Sequence, residues 1–202
     1  MTSLRHNSES PTGPRDAYLD AARACILDVG WRRTTLTEVA RRAGVSRMTI
    51  YRSWADMPTL LGDLMTREWT GLVATTVGTS TAADPLTRLV DDVVATIRAL
   101  RENELFVRIV ELDPELVLPY LLSRRGRSQD LILGLLTEAL REGQSSGSVR
   151  AGDPVAMARS MVLTAHGFVL SSHTMVDGDV EADALDDELR LLLTRGLAGG
   201  AS

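Results

Sequence analysis

Apolar residues recur at helical spacing along almost the whole chain, and no run alternates apolar with polar residues as a half-buried strand requires. β-Branched residues are not clustered either. That pattern confines the chain to an all-α fold. The helix starts are equally plain. Three Asp-Pro pairs, Asp84-Pro85, Asp113-Pro114 and Asp153-Pro154, each precede an apolar periodic run. An Asp side chain accepts from orphan N–H groups at a helix start, and Pro in the first turn loses no bond because its missing donor would be unpaired anyway. Asp56-Met57-Pro58 acts in the same way. The pattern predicts helices at about 15–29, 36–43, 47–54, 57–78, 85–103, 105–111, 114–122, 126–143, 154–175 and 183–197. Pro119 should kink or split the short helix it sits in. Residues 143–152, polar and Gly/Ser-rich, and 175–181, rich in Gly and Asp, read as loops.

Charge divides the chain of 202 residues unevenly. The formal net charge is −5, and all 22 basic residues are arginine. Residues 1–57 carry nine Arg against six acids, net +3; residues 58–202 carry thirteen against twenty-one, net −8. Between Trp31 and Trp54 stand six Arg and one acid, Glu38. A basic N-terminal segment ahead of an acidic remainder points to nucleic acid or an anionic surface. The domain reading follows: a flexible polar arm over 1–14, where Arg5 and His6 are candidate DNA contacts against the simpler reading as a disordered tail, a compact unit over 15–57 and a larger helical domain over 58–202. The N-terminus lacks an apolar signal region, and the longest apolar stretch, Val155 to Leu170, contains Arg159 and His166 and is too short to span a bilayer. The lone cysteine, Cys25, forms neither an intrachain disulfide nor a cysteine zinc cluster. A cytoplasmic protein without membrane contact is the expectation.

In the first helix Tyr18, Ala22, Cys25, Ile26 and Val29 form one inward stripe, which makes Cys25 a small core residue, and Gly30 ends the helix as a left-handed cap would. Thr35-Leu36-Thr37-Glu38 is a capping box: the Thr hydroxyl accepts from the N–H three residues on, and the Glu carboxylate reaches back. Leu36, Val39, Ala40 and Ala43 then share one face. In Gly44-Val45-Ser46, Gly44 supplies the positive φ of a tight reversal, Val45 plugs the angle between the helices and Ser46 caps the next helix. Two short helices joined by a three-residue Gly turn have the geometry of a helix-turn-helix. With Ile50 and Trp54 facing inward, the second helix presents Arg47, Met48, Thr49, Tyr51, Arg52 and Ser53, with no acid among them. Arg can bond guanine bidentately, and hydroxyls and helix-start N–H groups suit phosphates. A solvated basic face is the alternative reading of these residues taken alone.

The stretch Ala21 to Leu60 resembles the DNA-binding domain of TetR-type (tetracycline-repressor-like) transcriptional regulators, through Ala22, Gly30, Trp31, Thr34-Thr35, Ala40, Ala43-Gly44-Val45-Ser46, Tyr51, Trp54 and Leu60. The resemblance implies a palindromic double-stranded operator bound by a dimer and released by a small-molecule effector. It implies that Thr35 contacts phosphate as well as capping, that Arg47 and Met48 reach bases, and that Tyr51 binds phosphate. Two departures stand out. Met48 occupies a position where the family usually has Gly or another small residue, which lets the helix approach closely; a thymine methyl is the contact open to it instead. Met57 stands where the family usually has Lys near a phosphate, an interaction that is missing here or passes to Arg52 or the arm.

Past Leu60 the helices at 154–175 and 183–197 carry more apolar residues than one core face needs: Met157, Met161, Leu163, Phe168 and Leu170, then Leu185, Leu189, Leu192 and Leu193. The surplus fits a subunit interface, which the resemblance implies to be a four-helix dimer contact; a thicker monomer core is the alternative. Polar residues inside apolar helices, Arg98, Asn103, Arg108 and His166, are candidate effector contacts against the simpler reading as capped, paired or surface positions. No motif supports catalysis, a cofactor or a metal. Paired carboxylates in a cleft motif and a phosphate-cradling Gly loop are missing, and His166 and His173 lie two helical turns apart. The expected function is an effector-responsive repressor. Its rivals are a helical dimeric adaptor, or a ligand-sequestering protein with a non-functional head, and the acid-free face of residues 47–53 discriminates among them.

Overall fold

The computed structural model describes residues 13–200, so Arg5, His6 and most of the arm lie outside the described residues. The chain is all-α, with α1 (Pro14–Val29), α2 (Leu36–Arg42), α3 (Arg47–Ser53), α4 (Met57–Thr76), α5 (Pro85–Glu102), α6 (Glu104–Leu112), α7 (Leu118–Leu122), α8 (Arg127–Ser146), α9 (Pro154–Ser171) and α10 (Ala182–Leu197). Short 3-10 turns cover Trp31–Arg33, Pro114–Leu116 and Ser172–Thr174. No strand forms among the described residues; one isolated antiparallel bridge pairs Val149 with Ala198. The chain forms two compact units, one up to Leu64 and one from Met65, dividing inside α4.

Most helix starts follow the local chemistry read from the sequence. Asp84 accepts from the Thr87 N–H at 2.9 Å, Asp153 from the Val155 N–H at 2.9 Å and Asp56 from the Thr59 N–H at 2.8 Å. Asp113 departs from the pattern. It is buried and makes no side-chain cap, and Pro114 after it opens only a 3-10 turn. The helix expected over 114–122 is split, with α7 beginning afresh at Leu118 and Pro119 in its first turn, where the missing N–H costs no bond. The Gly/Ser-rich segment at 143–152 is only partly loop, because α8 continues through Ser146. A Cβ on Gly143 would lie 2.4 Å from Cγ2 of Val149, itself buried, so this glycine serves close packing within a helix rather than a turn.

In the first unit α2 packs against α1 and α3. Leu19, Ala22, Cys25, Ile26, Leu36, Val39, Ala40, Ile50, Trp54, Leu60 and Leu64 are among its buried residues. Burial pushes the Cys25 thiol above its ordinary value, as expected of an inert core residue. Val29 is exposed, so the inward stripe stops at Ile26. Gly30 has φ +81° but an extended ψ of 163°, so it ends α1 without the left-handed cap conformation.

In the second unit α5 is the central helix. Leu86, Leu89, Val90, Val94 and Ile97 pack with Leu140 of α8, Met157, Ala158 and Met161 of α9, and Leu189, Leu193 and Leu197 of α10. Asp186 of α10 is buried within this unit. It accepts from Nε of Arg98 at 2.5 Å and from the Arg101 guanidinium at 2.6 and 2.8 Å.

Candidate nucleic-acid interface

The α2–α3 reversal is built from backbone bonds. The Val45 N–H donates to the Ala40 carbonyl at 3.0 Å and the Gly44 N–H to the Arg41 carbonyl at 3.3 Å. These are the nested pair of a Schellman ending, and it requires a left-handed residue, which Gly44 supplies at φ +67°. Val45 is half-buried. Ser46 caps α3 by accepting from the Thr49 N–H at 3.2 Å, and the Ser46 and Thr49 hydroxyls bond each other at 2.9 Å. Thr35 caps α2 by accepting from the Glu38 N–H at 3.2 Å. The reciprocal half of the expected capping box is replaced: both Glu38 carboxylate oxygens accept from Arg41, at 2.9 and 2.5 Å. That guanidinium holds the Glu38 carboxyl below its usual range.

The C-terminal end of α3 is anchored by Trp54, which is 1% exposed. Its indole N–H donates to Asp63 at 2.8 Å, Tyr18 meets its ring edge-on with centroids 6.4 Å apart, and the Arg15 guanidinium lies 4.8 Å from the ring centroid while also pairing with Asp63. Asp63 and Arg15 carry no signal in the local α2–α3 pattern. Their role comes from α1 and α4 converging on the end of α3. A buried indole needs an acceptor, and that requirement is the one clue the sequence offered.

With Ile50 and Trp54 buried, α3 presents Arg47, Met48, Tyr51 and Arg52 as exposed residues; Thr49 and Ser53 are half-buried, and Thr35 and Ser46 are exposed beside them. The six arginines between Trp31 and Trp54 are not electrically equal. Arg41 is matched by Glu38, and Arg42 by Asp28, an acid outside that window that the fold brings onto α2. Arg33 donates to the Val29 carbonyl at 2.8 Å. Arg47 and Arg52 have no carboxylate partner among the described residues. Two guanidiniums without a carboxylate partner therefore stand together on the outward face of α3, where no acid stands.

The four polar residues that are candidate effector contacts go to different places. Arg98 bonds Asp186 and Asp183, so its guanidinium joins α5 to α10. Asn103 caps α6, its side-chain oxygen accepting from the Phe106 N–H at 3.0 Å. Arg108 is half-buried, and its Nε, fully covered, has no hydrogen-bond partner. His166 is half-buried, with Nε2 at 3.3 Å from Nε2 of Gln129. The structure does not bring these four together in one cluster. No group of residues that could hold a metal ion exists among the described residues, and no helix there is long and apolar enough to cross a membrane.

The description "Bacterial regulatory proteins, tetR family" fits residues 19–64 of the chain, which match that family's model. Over 183 residues the chain is 35% identical to an uncharacterised HTH-type transcriptional regulator of Mycobacterium bovis, covering 91% of this chain and 93% of that one. In three dimensions it is similar to the fatty acid degradation regulator FadR of Bacillus halodurans, with a TM-score of 0.65 and 22% identity over 94% of this chain and 98% of the other. It is likewise similar to SmeT in its complex with triclosan, with a TM-score of 0.62 and 24% identity over 94% of each chain.

Proposed function

The chain belongs to the TetR family of bacterial regulatory proteins and is a transcriptional regulator, and from that premise we propose that it is a repressor that binds a palindromic operator as a homodimer and leaves it when a small molecule binds. The head over 15–57 carries DNA recognition, and the helices over 58–202 carry the effector site and the subunit contact. The observation that supports DNA binding most directly is the outward face of α3, acid-free and bearing the unmatched guanidiniums of Arg47 and Arg52. Arg47, in the first turn, suits a guanine edge, a contact worth about 1–3 kcal/mol of discrimination. The Tyr51 and Thr35 hydroxyls and Arg52 suit phosphates, and Ser46, Thr49 and Ser53 line the same approach.

Dimerisation is supported by exposed apolar residues on the two expected helices, Leu163 of α9 at 70% and Leu192 of α10 at 61%. A two-fold dimer is what successive major-groove faces, about 34–36 Å apart, require. Effector control is supported by family membership and by the ligand that the SmeT structure holds. The effector must favour the conformation that fits the operator less well, and its differential affinity limits the response. His166 and Arg108 remain the candidate effector contacts, since Arg98 and Asn103 are engaged in structural bonds.

A mobility-shift assay with DNA upstream of the protein's own coding region tests this reading. Arg47→Ala and Tyr51→Ala should both weaken binding, and only Arg47→Ala should relax base preference. Binding that survives both changes unaltered overturns the assignment of α3. Light scattering should give a dimer at micromolar concentration; a stable monomer overturns the subunit contact.

A further inference from the structure

On the first turn of α3, directly after Arg47, stands a side chain that hydrogen bonding cannot employ. Met48 is 63% exposed, and Ile50 and Trp54 fill the inward face of α3 without it. Its neighbours on the outward face are Arg47, Tyr51 one turn on and Arg52 four residues on. The face is thus polar and basic except for one unbranched thioether. A singly exposed apolar side chain is ordinary on a protein surface. Its place here is specific, because residues in the first turn of such a helix meet base edges. The major groove displays donors and acceptors on every base pair and only one apolar group, the C5-methyl of thymine. Methionine suits that contact: it is flexible, polarisable and able to fill the irregular gap between a base edge and the helix.

We propose that Met48 is a specificity-determining residue that reads a thymine C5-methyl group next to the base contacted by Arg47. The inference rests on the DNA-binding reading above. What is read is the methyl group and not the hydrogen-bonding edge, so 5-methylcytosine presents the same feature as thymine.

The test uses the full-length protein and its Met48→Ala variant. Each selects duplexes from a randomised pool. Affinities are then measured for the selected duplex with every thymine replaced singly by uracil, which removes only the methyl group. For the wild-type protein, uracil at one position in each half-site should lower affinity about fourfold per half-site, the factor that burial of one methyl-sized group supplies. Met48→Ala should be indifferent to uracil there and select that base less strictly. With a C·G pair placed at the same position, 5-methylcytosine should be bound more tightly than cytosine by the wild-type protein alone. Tolerance of uracil at every thymine, or equal uracil sensitivity in Met48→Ala, overturns the methyl contact and leaves DNA binding standing. Failure of the wild-type protein to select any duplex overturns the DNA-binding reading and this inference with it.

Discussion

Single residues in this chain show how one amino-acid type serves opposite purposes. Gly44 sits at φ +67° with open space where a Cβ would be, so its role is conformational. Gly143 lies inside α8, where Val149 occupies the place of a Cβ. Alanine at an ordinary helix position would gain about 1 kcal/mol over glycine. At position 143 the added carbon meets a β-branched, buried neighbour that cannot swing away, and overpacking of this kind costs about 1–3 kcal/mol. Gly143→Ala should therefore lose stability despite its better propensity, as measured by urea denaturation. The Gly143→Ala/Val149→Ala double variant should lose less than the sum of the single changes, because removing the Val149 methyl groups removes the clash. The sequence marks both positions as breakers of regular structure. Only Gly44, flanked by two short periodic runs, carries enough local context to give its reason.

At the scale of elements, the helices are legible because their determinants are local. Caps and periodicity act within about four residues, and Asp84, Asp153, Asp56, Thr35 and Ser46 all cap as the sequence implies. Two residues depart from the local reading. Asp113 is buried instead of capping, and Glu38 turns forward to Arg41, three residues on, instead of back to Thr35. At the junction of α7, α8 and α9 a longer-range contact has a measurable consequence. Gln129 accepts from the Gly126 N–H at 2.8 Å through its oxygen, which leaves its NH2 group facing the Tyr120 carbonyl and Nε2 of His166, each at 3.3 Å. Nε2 must then accept, so His166 is neutral with its proton on Nδ1. Burial also pushes its pKa below the ordinary value. Above about pH 6.5 the imidazole is neutral in the folded and unfolded chains alike. As pH falls through that value, the unfolded chain takes up a proton that the folded chain resists, so stability falls until the depressed folded value is passed. Unfolding free energy should decline between pH 7.5 and 5 in the wild-type protein. His166→Gln should remove part of that decline, as followed by urea titration at each pH.

Across the whole molecule, the distribution of charge matters more than its sum. A net charge of −5 counts against nucleic acid until the arginines are assigned. Asp28 takes Arg42, Glu38 takes Arg41, and Asp186 takes Arg98 and Arg101, which leaves Arg47 and Arg52 unmatched on one face. If Arg52 neutralises a phosphate in each half-site, counterion release ties it to the salt dependence of affinity. Arg52→Ala should then reduce the slope of log K against log salt by about 2 per dimer, roughly 0.9 for each phosphate no longer neutralised. Arg42→Ala, whose cation is already matched, should leave the slope near the wild-type value. Mobility shifts across a salt series measure both.

The sequence by itself determined the all-α class, nearly every helix boundary, the α2–α3 reversal and the family, because each rests on interactions among residues a few positions apart. The tertiary structure alone decided which polar residues are left available. Arg98 and its partner Asp186 are 88 positions apart, Arg42 and Asp28 are 14 apart, and Trp54 finds Asp63 only where α3 meets α4. A charged or polar side chain satisfies itself with whatever acceptor the fold brings within about 3 Å. Its availability to DNA or to an effector is therefore settled by chain folding and not by local sequence.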